Sequence, residues 1–182
     1  MSAPRIAPLE APYEETVTAA FGAFLPPGME PLKLFRTQAH NPRVLQRMFA
    51  ANLLDKGTID LRMRELIILR TCARCGSEYE WGVHVALFAQ RAGLSKTDIA
   101  ATLAGAPDGL PPQEALLLQA VDALHDNSGI PDEVWTGLTQ HYTQAQLIEL
   151  VALVGNYHAV SFITNAARIE LESFAARFAD YR

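Results

Sequence analysis

The sequence predicts an all-α fold with antiparallel helix packing and a long C-terminal helix. Three observations carry this reading. Apolar residues recur at helical spacing along most of the chain, and no stretch alternates with the period of two that a half-buried strand requires. Capping signals of the S/T-x-x-E/Q kind, with Pro and Gly punctuation, return at intervals of one helix. With 182 residues and 49% hydrophobic content the chain can bury one substantial core, so residues 1–182 read as a single domain.

The elements follow in order. After a Pro-rich start, residues 11–24 form a first helix stopped by Pro26, Pro27 and Gly28. A short helix near 31–39 precedes another near 43–54, for which Asn41 and Pro42 supply the cap and first turn. Asp60 caps a helix that runs through Arg74, with Leu61, Leu66, Ile68, Leu69 and Cys72 as a broad apolar face. Gly76 interrupts it. Ser77 and Glu80 fit a capping box that opens a helix ending before Gly93, and Ser95 and Asp98 repeat the signal for a helix to about Leu103. Residues 105–112 read as a loop; Pro112 opens a helix through about Asp126, and Pro131 begins a short one near Trp135. Thr143 and Gln146 cap the last helix, expected over 144–173, with Leu147, Leu150, Val151, Val154, His158, Phe162 and Ile169 on one wide apolar face. So long a helix in so small a domain is expected to cover a neighbouring subunit as well.

Composition narrows the function classes. Fifteen basic against twenty acidic residues give a net charge of -5 without a dense basic stripe, which argues against a nucleic-acid partner. No span of 18 unbroken apolar residues exists, so no membrane partner is expected. Two cysteines make no disulfide framework, and the N-terminal residues lack the basic start and apolar run of a secretory signal; a cytoplasmic location is the expectation. Arg62, Arg64, Arg70 and Arg74 cluster around one segment, which suits either a small anionic metabolite or ordinary surface pairing.

That segment, Glu65 to His84, holds most of the chain's candidate chemistry, and two enzymes can be read from it. The first uses the Cys72-Ala-Arg-Cys75 dithiol. Such a pair needs a lowered thiol pKa, but here it falls in the last turn of its helix, where the dipole opposes a thiolate while Arg70 and Arg74 favour one. Cys72 also lies on the apolar face, as a small buried hydrophobe would. The second uses acid–base groups. Ser77, Glu80 and His84 share one helix face, and a carboxylate four residues before an imidazole can orient it and raise its pKa. Glu65, on the preceding helix, can fold back toward them, and a carboxylate on an apolar face needs a partner. Tyr79 and Trp81 either frame a pocket or pack in the core, and Ser77 and Glu80 are equally explained as a capping box. His158 is read as a core or interface histidine or a further pocket group; His40, His125 and His141 carry no combined signal. No complete metal-ligand set, phosphate loop, dinucleotide fingerprint or nucleophile elbow appears, so neither metal nor cofactor is expected.

Residues 64–95, RELIILRTCARCGSEYEWGVHVALFAQRAGLS, resemble the carboxymuconolactone decarboxylase family, whose fold is shared with the alkylhydroperoxidase-like (AhpD-like) proteins; the broader similarity covers about 40–125. In the peroxidase branch a glutamate precedes a C-x-x-C pair followed by a histidine. The resemblance places that glutamate at Glu65 and the histidine at His84. The two thiols fall at Ser77 and Glu80, and an intervening histidine falls at Tyr79. Cys72 and Cys75 stand five residues too early. The resemblance therefore implies the decarboxylase branch, a lyase acting without cofactor on a small anionic lactone. In it His84 serves as proton donor, Glu65 or Glu80 orients it, and Arg62 or Arg64 holds a carboxylate. A peroxidase using Cys72 and Cys75, or a non-catalytic helical oligomer, are the alternatives. The family also implies a homo-oligomer, trimeric or hexameric, with a dimer as the smaller option.

Overall fold

A computed structural model describes residues 3–104 and 109–182. Among these residues there are nine α-helices, one short 3-10 turn and no strand. They are α1 (Glu15–Phe24), α2 (Lys33–Gln38), α3 (Pro42–Ala50), α4 (Leu61–Arg74), α5 (Glu78–Phe88), α6 (Lys96–Ala104), α7 (Pro112–Asn127), α8 (Asp132–Thr139) and α9 (Gln144–Ala167). Part of the loop expected at 105–112 lies outside the described residues.

Helix α4 is the centre of the packing. Leu66, Ile67, Ile68, Leu69 and Cys72 are fully buried, so almost every side of the helix is covered and its neighbours α5, α6, α7 and α9 surround it. Arg70 is buried on the same helix because Asp122 of α7 accepts a bidentate pair from its guanidinium at 2.7 and 2.8 Å. The caps at Asn41, Asp60, Ser95 and Thr143 form as their side chains predict, each accepting from a backbone N–H three residues on.

Several boundaries differ from the sequence expectation, the first being the start of α1, at Glu15 rather than 11. The third helix ends at Ala50 rather than near 54, and Leu53 adopts a positive φ of 54° just beyond it. The last helix ends at Ala167 rather than 173. Arg168 takes the left-handed conformation, and the Ile169 N–H bonds back to the Thr164 carbonyl at 3.0 Å, the pattern that terminates a helix. The chain then reverses across α5. Glu172 accepts from Lys33 N–H and from the Tyr79 hydroxyl, and Phe178 and Tyr181 pack edge-on against Trp81.

By length and composition α9 is long and apolar enough to cross a membrane, although charged and polar residues interrupt its apolar run. Leu147, Leu150, Leu153, Val154 and Tyr157 nevertheless lie in the main core. Its opposite side is unpartnered: Ile148 is 71% exposed and Phe162 63%.

Gly82 makes the reversal of the tail possible. The Ala176 N–H donates to the Gly82 carbonyl at 3.1 Å, and a Cβ at position 82 would meet the Ala176 oxygen at 2.3 Å. Gly82→Ala is expected to destabilise the protein by about 1–3 kcal/mol in urea unfolding, through overpacking, and to accelerate hydrogen exchange at the Ala176 amide. Unchanged exchange there would show that the tail does not depend on this contact.

Candidate active site

The site begins at the junction of α4 and α5. Gly76 has a φ of 63°, the Gly76 N–H bonds to the Ala73 carbonyl, and the Ser77 N–H bonds to the Cys72 carbonyl. This closes α4 and turns the chain straight into α5. It also overturns the expected Ser77–Glu80 capping box. The Ser77 N–H that Glu80 would have accepted from is already given to Cys72. The Ser77 hydroxyl, too, is taken, lying 2.8 Å from Thr164 Oγ1. Glu80 is left free to turn toward His84.

Three helices then meet at one imidazole. His84 Nδ1 lies 2.7 Å from Glu65 Oε2 on α4, and His84 Nε2 lies 3.0 Å from the Tyr157 hydroxyl on α9 and 3.5 Å from Glu80 Oε1. The second oxygen of Glu65 accepts from Arg64 at 2.9 and 3.0 Å. Glu65 is 0% exposed, and a guanidinium and an imidazole share its two oxygens, the pairing that a buried carboxyl group requires. A carboxylate facing Nδ1 sets that nitrogen as the N–H and aims Nε2 at Tyr157 and Glu80. Burial by itself would lower the His84 pKa, but the charge and hydrogen bond of Glu65, followed by those of Glu80, outweigh it and push the value up to about 9. At neutral pH His84 is therefore an imidazolium. Burial, reinforced by Glu80 and Glu65, drives the Tyr157 phenol well above its ordinary range, so it stays a hydroxyl.

Glu80 and Tyr157 border a cavity of about 50 Å³ roofed by Phe24, Phe35, Met48 and Phe49. Phe24 and Phe49 stack at 3.9 Å between ring centroids, and Phe35 meets Phe49 edge-on. The lining is mostly apolar, with Gln38, Asn52 and Asn156 as the other polar members. Within it the buried Glu80 Oε2 and both amide atoms of Gln38 have no hydrogen-bond partner. Unpaired buried polar atoms around a cavity are what a ligand-binding site presents before its ligand arrives.

The other sequence candidates lie elsewhere. Arg62 is locked to Glu114 and Asp98, and Arg64 to Glu65 and the Leu54 carbonyl, so neither arginine faces the cavity. Tyr79 bonds to Leu34 and Glu172, and Trp81 is wholly buried with its N–H on Thr102, so these two rings hold the fold rather than frame the pocket. His158 faces Cys75 and His125 on another side of α9. Both thiols are free, but Cys72 is fully buried, and burial raises the pKa of each. The Ser161 hydroxyl works against that rise at both thiols, although it makes no well-formed hydrogen bond. Tyr157, Gln38 and Asn156 were missed by sequence reasoning. Only the helical position of Tyr157, one residue before His158, offered any signal.

A family model matches residues 42–123, and it is that of the carboxymuconolactone decarboxylase family. No functionally curated protein matches the sequence. Among solved structures, an uncharacterized peroxidase-related protein from Silicibacter sp. TM1040 superimposes with a TM-score of 0.78 at 16% identity, covering 98% of this chain and 99% of that one. An alkylhydroperoxidase AhpD core protein from Ralstonia eutropha JMP134, also peroxidase-related, gives 0.75 at 16% identity over 94% and 95%. A cysteine-to-alanine variant of the debrominase Bmp8 in complex with 2,3,4-tribromopyrrole gives 0.71 at 19% identity over 95% and 94%. At these identities the likeness establishes the AhpD-like fold. Glu65, Glu80 and His84 fall inside the matched segment, whereas the cavity residues Phe24, Leu34, Phe35 and Gln38 precede it and Tyr157 follows it.

The imidazole should titrate at about 9 when followed by NMR, and Glu65→Gln should lower that value, because it removes the charge that outweighs burial. A folded pKa above the ordinary 6.5 adds stability that is fully present below 6.5 and lost as pH rises through about 9. Removing either partner of the buried pair is expected to cost roughly 3–5 kcal/mol in unfolding free energy. A titration near 6.5 in the wild-type chain would contradict the arrangement.

Proposed function

We propose that this protein is an acid–base enzyme of the carboxymuconolactone decarboxylase kind, a lyase for a small unsaturated lactone acid or a related ring metabolite. The observation that supports it most is the buried Glu65–His84 pair, whose free nitrogen side opens on Tyr157 and Glu80 at the wall of an apolar cavity. The chemistry calls for a proton donor and a carbanion-stabilising environment, with no cofactor. The bond to the departing carboxylate breaks, and its electron pair moves through the conjugated ring to the carbonyl oxygen as an enolate. The reacting carbon takes a proton from the His84 imidazolium, passed through Tyr157 or Glu80, and carbon dioxide leaves. Solvent then restores the imidazolium proton.

The cavity shapes the substrate class. No arginine lines it, so a substrate carboxylate would enter without a cationic clamp and beside Glu80. An apolar wall weakens solvation of that carboxylate and favours its loss as neutral carbon dioxide. The present volume of about 50 Å³ is below that of ring-binding pockets, so a ring substrate must displace part of the Phe24–Phe35–Phe49 roof. We further propose a homo-oligomer, trimeric or hexameric, built over the exposed Ile148 and Phe162 side of α9, with small metabolites as its only other partners.

The peroxidase names of the structural neighbours favour a second reading, a dithiol oxidoreductase. Its thiols Cys72 and Cys75 do not line the cavity with Glu80. A screen of lactone acids for carbon dioxide release and solvent deuterium incorporation separates the two. His84→Gln and Glu80→Gln should each lower kcat by about 10²–10⁴ with the fold intact, and Tyr157→Phe by less. Turnover should fall as pH rises through about 9, where the imidazolium is lost. Full turnover in the His84→Gln protein, or peroxide reduction abolished by Cys75→Ala, would sink the lyase reading.

A further inference from the structure

We propose that Cys75, His125 and His158 form a binding site for one zinc-class divalent cation, separate from the His84 site. The three residues come from different helices: Cys75 caps the C-terminus of α4, His125 lies in the last turn of α7, and His158 lies on α9. Their donor atoms all fall within 4.8 Å of one another, with Cys75 Sγ 3.9 Å from His125 Nδ1, itself 2.9 Å from His158 Nε2. A tetrahedral zinc ion ~2.3 Å from sulfur and ~2.0–2.1 Å from nitrogen sets its donors roughly 3.3–3.6 Å apart. Closing the cluster on an ion thus takes shifts of roughly 1 Å, shared among three side chains.

The ring chemistry supports the same conclusion. His158 Nδ1 lies 2.8 Å from the Val154 carbonyl, an acceptor, so Nδ1 carries the hydrogen and the neutral ring presents a lone pair at Nε2. This is how a metal-binding histidine is oriented by its outer hydrogen bond. A single hydrogen, on His125 Nδ1, joins the two rings, and when it moves to His125 Nε2 the ring stays neutral and a cation can sit between the two lone pairs. The Cys75 thiol gives up its proton on binding, so the ion meets one thiolate and two neutral imidazoles. That donor set suits zinc and not the hard cations calcium or magnesium.

Position and charge agree. Two helix C-termini point their partial negative charge at the cluster. The nearby Arg74 guanidinium, which would repel a cation, is neutralised by Asp126. Asn165 donates to the Cys75 carbonyl at 2.8 Å and pins that end of α4 to α9. All three ligand residues are half-buried, leaving a fourth position open to water or a small donor.

The reduced full-length protein is titrated with Zn²⁺ by calorimetry and with Co²⁺ by absorbance, alongside Cys75→Ser, His125→Ala, His158→Ala and the remote control His40→Ala. We expect one ion per chain, a near-ultraviolet thiolate-to-cobalt band, and a rise in melting temperature with Zn²⁺. Affinity should fall at least about tenfold in each ligand variant, the His40→Ala control staying as wild type. Circular dichroism checks that the variants fold. Absence of a stoichiometric site, a cobalt complex lacking the thiolate band, or affinity undiminished in the ligand variants would each overturn the proposal. None of these readouts depends on the lyase activity.

Discussion

The buried pair between Glu65 and His84 is the constraint around which the rest is arranged. A carboxylate with no solvent access in the middle of an apolar helix is costly unless its charge is shared, and α4 offers it only Arg64. The second partner must come from another element, which ties α5 to α4 at one register. The tie fixes the orientation of the imidazole, and with it the direction of the remaining nitrogen. Tyr157 then links α9 to the same ring, so three helices that build the core also converge on one imidazole.

That arrangement depends on how the α4–α5 turn distributes its hydrogen bonds. A one-step reversal at Gly76 gives the Ser77 N–H to the end of α4 and leaves the start of α5 without its expected box. Thr164 takes the Ser77 hydroxyl, and the freed Glu80 becomes the unpaired carboxylate oxygen beside the cavity. A capping pattern in sequence says which bonds are available. The neighbouring helix decides which are made. By contrast Ser95–Asp98 and Thr143–Gln146, whose preceding residues make no such demand, form their boxes.

The AhpD-like fold therefore gathers polar side chains at two separate places. Near His84 it sets Glu65, Glu80 and Tyr157 beside a cavity whose aromatic lining comes from both sides of residue 42, Phe24 and Phe35 before it and Phe49 and Tyr157 after it. On the far side of α9 it gathers the thiol of Cys75 with two imidazoles. The dithiol spacing of Cys72 and Cys75 joins neither: Cys72 packs as a core hydrophobe while Cys75 faces His125.

The all-α class, the order of the helices and most of their starts are written in local sequence, because caps, glycines and helical periodicity act over a few residues. Glu65, Glu80 and His84 were legible for the same reason, since their spacing is a short-range feature of two adjoining helices. The end of α9 was not, because Arg168 takes a left-handed turn that residue type does not announce. Nor were Tyr157, Gln38, the roof of the cavity or the meeting of His125 with Cys75 and His158. Those depend on which faces of distant helices are pressed together, and burying the apolar surface of the whole chain settles that only in three dimensions.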